Sequence, residues 1–233
     1  MSSPLHAITP AGFVQPRPIT LTVTNGTAAK VVVEAYAAAA STATAPAFYG
    51  GCTVIDLVAS STDVAKDVLM YTGQVATTQE TTNTGIMATG SSSTITRAAG
   101  SFITDGWKAG DLLMTFAPDL LAFNAAVDGI LGIVTTVVAG TLTVNGTPFA
   151  VLTPFATGTR IVRVSQRGRF PVAASAGTNG TTANTRLLGN ALDSTAVSTE
   201  IKLGADNLLI AGMQANVGAL PAYVSIAATV ARY

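Results

Sequence analysis

The chain is predicted to be all-β: a jelly-roll-like β-sandwich carrying a small inserted β-barrel. Three observations lead there. Ile19–Thr24 alternates strictly, with Ile19, Leu21 and Val23 on one side and threonines on the other, which is the period of a half-buried strand. Gly51–Val75 holds two segments rich in β-branched residues on either side of Ser60-Ser61-Thr62-Asp63, whose side chains hydrogen-bond local backbone and favour a turn. A helix capped by Asp63 competes for this stretch, but it would run only about two turns before Thr72-Gly73, which is marginal in water. Elsewhere only Ser194–Leu203 and Leu208–Val217 hint at a helical period, and glycines interrupt the pattern.

Residues 1–18 contain four prolines and little periodicity, so an extended segment is expected, either an arm laid on a neighbouring subunit, with Phe13 and Arg17 as candidate contacts, or a frayed tail. Asn25-Gly26 supplies the positive φ angles of a type I′ turn and predicts a hairpin between the strand at Ile19 and a second at Lys30–Tyr36. The Ala/Thr run to Ala47 reads as a loop, after which Phe48 and Tyr49 re-anchor the chain. Beyond the central pair a Thr/Ser/Gly-rich stretch joins a new module. Its short strands, Thr94–Arg97, Ser101–Thr104, Asp111–Phe116, Ile130–Val138 and Thr141–Val144, are separated by Asp105-Gly106, Ala109-Gly110, Ala139-Gly140 and Asn145-Gly146. That spacing predicts a small closed or half-closed barrel. Arg160–Ser165 leaves it as a strand, Ala173–Thr185 is loop, and Arg186–Leu192 and Glu200–Leu203 are short apolar pieces. Tyr223–Tyr233 alternates again, with Val224, Ile226, Ala228 and Val230 inward. The expected domains are an arm at 1–18, a discontinuous sandwich at 19–82 and 160–233, and an inserted barrel at 83–159.

At 233 residues either one large β domain or two small ones can bury a core. Hydrophobic residues make up 48% and charged residues only 10%, against ~25% charged in an average soluble domain. No apolar run is long enough to predict a spanning helix, and the N-terminus has no basic segment followed by an apolar one, so no cleaved signal is expected. Twelve basic and twelve acidic residues give zero formal charge, which argues against a phosphate-gripping surface. A surface this poor in charge has weak electrostatic protection against association and is expected to be covered by other protein.

Candidate chemistry is sparse. His6, the single histidine, sits in the arm, a poor place to be held against a nucleophile. Cys52 alone can form neither an internal disulfide nor a zinc cluster, and is expected to be a small buried hydrophobe. The aspartates 56, 63, 67, 105, 111, 119 and 128 are scattered among turns, and Asp63 and Asp67, though four apart, lie in no calcium-loop pattern. A paired-carboxylate glycosidase or a sugar-binding module would need exposed aromatics, drawing on Trp107, Phe102, Phe116 and Phe123. Asn-Gly-Thr at Asn25, Asn145 and Asn179 is read as turn chemistry. Arg160, Arg163, Arg167 and Arg169 fall within ten positions. On a regular strand the last three share a parity and make a local positive face, for which ion pairing with a neighbouring subunit is favoured over nucleic acid.

The run Val54–Tyr71, followed by Arg169-Phe-Pro-Val-Ala-Ala-Ser-Ala-Gly-Thr-Asn-Gly, Leu187-Leu-Gly-Asn, Ile201-Lys-Leu and Leu208-Leu-Ile-Ala, resembles small β-sandwich virion proteins of tailed bacteriophages. In those proteins an ATSTDT turn joins two strands, and the second leads almost directly to a Pro-Ala-Gly loop and a leucine-asparagine segment. Here residues 83–159 interrupt that path. The interrupting piece, with Ile95–Asp111 and Leu142-Thr-Val, is similar to a module of phage structural proteins. The resemblance implies a non-enzymatic capsid decoration or cement protein, with a tail or neck component as the alternative. Its implied partners are the major capsid protein and copies of itself, with no cofactor, no metal and no membrane, and its implied location is the virion after synthesis in the host cytoplasm. Phe13, Arg17, Arg160, Arg163, Arg167 and Arg169 are the expected inter-subunit contacts.

Overall fold

The computed structural model describes residues 12–14, 19–22, 29–36, 47–49, 51–62, 65–78, 86–88, 93–117, 129–149, 155, 158–188, 200–213 and 223–232. Among them are sixteen strands and no helix. The first eight are β1 (Gly12–Val14), β2 (Ile19–Thr22), β3 (Lys30–Tyr36), β4 (Ala47–Tyr49), β5 (Cys52–Ser61), β6 (Lys66–Thr78), β7 (Ile86–Ala88) and β8 (Thr94–Arg97). The rest are β9 (Leu112–Phe116), β10 (Ile130–Val138), β11 (Thr141–Val144), β12 (Arg160–Val172), β13 (Thr185–Arg186), β14 (Ile201–Leu203), β15 (Asn207–Met213) and β16 (Tyr223–Arg232).

They form a β-sandwich. The smaller sheet is built on the β16–β5 pair, with β1 and β2 along the free side of β16 and β13 and β14 along that of β5. The larger has the order β4-β3-β15-β6-β12-β9-β10-β11-β8-β7, antiparallel except for β3–β4. The two sheets face each other across a core that includes Leu57 and Val230 from one and Val68, Met70, Phe170 and Leu209 from the other. Val224, Ile226, Ala228 and Val230 are all buried, as the alternation of the last strand requires. The pieces with a hint of helix are strand where they are described, in β14 and β15.

Five expectations change. The strands at Ile19 and Lys30 do not form a hairpin: β2 pairs with β16 and β3 with β15 and β4, so the chain crosses from one sheet to the other between them. The central pair behaves alike, β5 and β6 lying in opposite sheets. The corner after β5 is tied down by Thr62, whose amide donates to the Tyr223 carbonyl (3.1 Å) and whose hydroxyl oxygen accepts from the Tyr223 amide (2.9 Å). Gly12–Val14, assigned to an arm reaching outward, is an edge strand on this chain's own β16, with Phe13 opposite Ala231. Residues 83–159 do not close into a barrel. Because β9 pairs with Arg160–Val164 of β12, the strands of the insertion continue the larger sheet outward and end on β7. Ser101–Thr104 is a turn, not a strand, with Phe102 driven into the insertion's own core beside Trp107, Leu113 and Leu142.

β6 and β12 are the two longest strands, thirteen residues each, and pair from Lys66↔Val172 to Thr78↔Arg160. At one end of this ladder one face joins the sandwich core, and further along the other face carries Tyr71, Val162 and Val164 with Met114, Leu208 and Ile210. Gly73 is required there. A Cβ at this position would lie 2.4 Å from Val162 Cγ1 and 3.2 Å from Ile210 Cδ1, so the close approach of three strands' side chains depends on its absence. Gly73→Ala is expected to destabilise the fold by about 1–3 kcal/mol, read as a lower urea midpoint at unchanged slope.

Cys52 is buried in the sandwich core, and burial pushes its thiol up to about 11. The reactive thiolate is therefore scarce at pH 8. Iodoacetamide is expected to alkylate Cys52 in the folded chain at least about a hundredfold more slowly than in urea, and a rate within a few-fold of the unfolded one would show the site to be open.

Candidate interaction surface

The arginine cluster is where the structure departs furthest from the regular-strand expectation. The register of β12 on β6 jumps between Gln166↔Tyr71 and Gly168↔Met70, so Arg167 is the extra residue of a β-bulge and the facing of the strand reverses across it. Arg163 shares a face with Ile161 of the insertion core, whereas Arg169 stands opposite Leu69 on the other face. The single positive face does not form.

Each of the four guanidinium groups has a partner inside the chain. Arg160 is 7% exposed and pairs with Glu34, 2% exposed. Arg160 is therefore occupied inside the fold of this chain. Arg163 pairs with Asp111 (3.1 Å), donates to the Asp105 carbonyl (3.3 Å) and lies 5.0 Å above the Trp107 ring. Arg167 Nε donates to Thr72 Oγ1 (2.8 Å), and Arg169 Nε to Asp67 Oδ2 (2.7 Å). Arg17, Asp63, Asp119, Asp128, Phe123, His6 and the Asn25-Gly26 turn lie outside the described residues.

Sequence reading missed what these charges do. Asp105 Oδ2 accepts from Arg97 Nη1 (2.5 Å) and from Thr77 Oγ1 (2.6 Å), and Thr77 Oγ1 in turn accepts from Trp107 Nε1 (3.0 Å). Asp111 receives Arg163 and the Lys108 amide (2.9 Å). Thr77 and Arg163 belong to the long ladder and the other five to the insertion, so this network clasps the turn at 101–111 onto β6 and β12. Trp107, Phe102 and Phe116 are buried. The exposed aromatic groove that sugar binding requires is not formed by them.

The uncharged surface lies elsewhere. Five large hydrophobic side chains are exposed among the described residues, and four are in the insertion: Ile103 (60%), Leu131 (39%), Ile133 (46%) and Val138 (50%). A register shift between Val134 and Thr136 keeps Leu131, Ile133 and Val138 on one face of β10. Their cross-strand neighbours extend it in rows, Val138–Thr141–Thr96, Thr136–Thr143–Thr94 and Ile133–Leu112, while Leu131 stands opposite the buried Met114. These rows contain threonine and aliphatic residues and no charge. Among the described residues no three His, Cys, Asp or Glu side chains are grouped to hold a metal ion.

No protein-family model, curated protein or solved structure matches this chain.

The Glu34–Arg160 pair can be tested directly. Arg160→Met alone leaves a buried carboxylate and is expected to cost about 3–5 kcal/mol, whereas Arg160→Met with Glu34→Leu is expected to recover much of that loss in urea unfolding.

Proposed function

We propose that the chain is a non-enzymatic structural protein of a bacteriophage virion, a decoration or cement protein that stabilises the capsid shell through contacts with the major capsid protein and with copies of itself. One observation carries the assembly part of this reading: among the described residues six ion pairs hold charges within the chain, while Leu131, Ile133 and Val138 stand exposed on one face of β10 beside threonines of β8 and β11. A contiguous apolar surface without charge is costly to leave in water and has little to oppose association. Repeated over many copies, modest interfaces of this kind add up by multivalency. The virion assignment draws on the resemblance described above. Its two halves, the Ser60–Thr62 corner and the loop after Phe170, touch in the fold: the Ser61 amide donates to the Ala176 carbonyl (2.9 Å), and Thr178 Oγ1 donates to the Ser61 carbonyl (2.8 Å).

Electron cryomicroscopy of the phage particle tests this. The expected result is density for the chain repeated across the shell, lost when Ile133→Asp and Val138→Asp are combined, with the melting temperature of the isolated variant little changed. Density confined to the tail would assign the chain to the tail or neck, and an undiminished shell in the double variant would remove this face from the interface.

A further inference from the structure

We propose that the outer face of the larger sheet holds a binding pocket for a small uncharged molecule, apolar over most of its surface and carrying one hydrogen-bond acceptor, which the Tyr71 hydroxyl would recognise. The pocket has a volume of about 410 Å³, within the range of small-molecule sites. Leu69 and Tyr71 of β6, Met114 of β9, Leu131 of β10 and Met213 of β15 line it, with Pro148. Close backbone packing shapes its floor. Ala29 sits against Gly129, where a Cβ would fall 2.1 Å from the Ala29 nitrogen, and against Gly212, where a Cβ would fall 3.2 Å from the Ala29 Cβ. Gly129 has φ +70°, which also favours glycine.

The lining specifies the chemistry. Tyr71 is the only ionisable group among the described lining residues, and none of them carries a charge to balance a charged ligand. Tyr71 is 4% exposed overall, and its hydroxyl is not one of the fully buried, unpartnered polar atoms of the described residues, so a ligand in the pocket can reach it. It is the one polar side-chain atom on a wall that is otherwise apolar among the described lining residues. Burial raises its pKa, so at neutral pH it stays protonated and is a donor. Met114 and Met213 are flexible and polarizable and can adapt to an aromatic or aliphatic body. Leu131, 39% exposed, places the mouth at the surface. Leu131 also belongs to the uncharged face of β10 described above, but the two tests change different side chains, Tyr71 and Leu131 here and Ile133 and Val138 there.

The test is a titration of the full chain with benzylacetone, an aromatic ketone, and with butylbenzene, a hydrocarbon of similar shape, followed by the methionine methyl signals. Benzylacetone is expected to shift Met114 and Met213 saturably and to leave Met70, in the sandwich core, unmoved. Tyr71→Phe is expected to weaken benzylacetone roughly three- to tenfold while leaving butylbenzene unchanged, and Leu131→Trp at the mouth is expected to block both. No saturable shift at Met114 and Met213, or a benzylacetone affinity indifferent to Tyr71→Phe, would overturn the proposal. So would the same methyl shifts appearing with protein concentration alone, which would make a second copy the occupant.

Discussion

The antiparallel ladder between β6 and β12 is the constraint on which the rest of the molecule depends. It brings Thr78 opposite Arg160, so the two ends of the insertion emerge side by side. An insertion is tolerated where the host's chain ends are already close. Here the ladder also offers its free edge, and β9 adds to Arg160–Val164. An unpaired strand edge satisfies its backbone donors and acceptors by accepting another strand. That is why the insertion extends a sheet and does not close on itself, even though it keeps its own core around Phe102, Trp107 and Leu142.

Two register shifts let one ladder serve three packed clusters. The shift between Ile161 and Val162 and the one at Arg167 re-aim successive side chains, as bulges do. Val68 and Phe170 thereby reach the sandwich core, while Val162 and Val164 meet Tyr71 and Ile210. Gly73 marks the place where these outer-face side chains come closest.

The polar groups follow from the same geometry. Four arginines close in sequence are distributed over two faces and different depths, and each finds a different partner: Glu34, Asp111, Thr72 and Asp67. A buried pair such as Glu34–Arg160 adds little net stability relative to apolar replacements, but either partner alone is costly. It therefore penalises any arrangement in which β3 and the start of β12 are not brought together. The Arg97–Asp105–Thr77–Trp107 chain does the same for the turn of the insertion. With those charges used internally, the outward rows on β8, β10 and β11 remain uncharged.

The sequence by itself determined the class of fold and the strands whose signal is local. Alternation in Ile19–Thr22 and Tyr223–Arg232, the β-branched runs before and after Ser60–Thr62, and the glycine turns around β10 and β11 are all short-range, and each produced the element it predicts. Burial of Cys52 and the poverty of charge were legible as composition. Tertiary structure alone decided which strand pairs with which, because pairing is a contact between residues far apart in the chain. Asn25-Gly26 suggested a hairpin, yet Ile19 faces Ile226 and Val31 faces Ile210. The arginines looked like one face because parity assumes an unbroken strand, and the bulge at Arg167 is set by the pairing partner. The pocket at Tyr71 is equally non-local, since β15, β6, β9 and β10 must be brought into one sheet, with β12 between β6 and β9, before its walls exist.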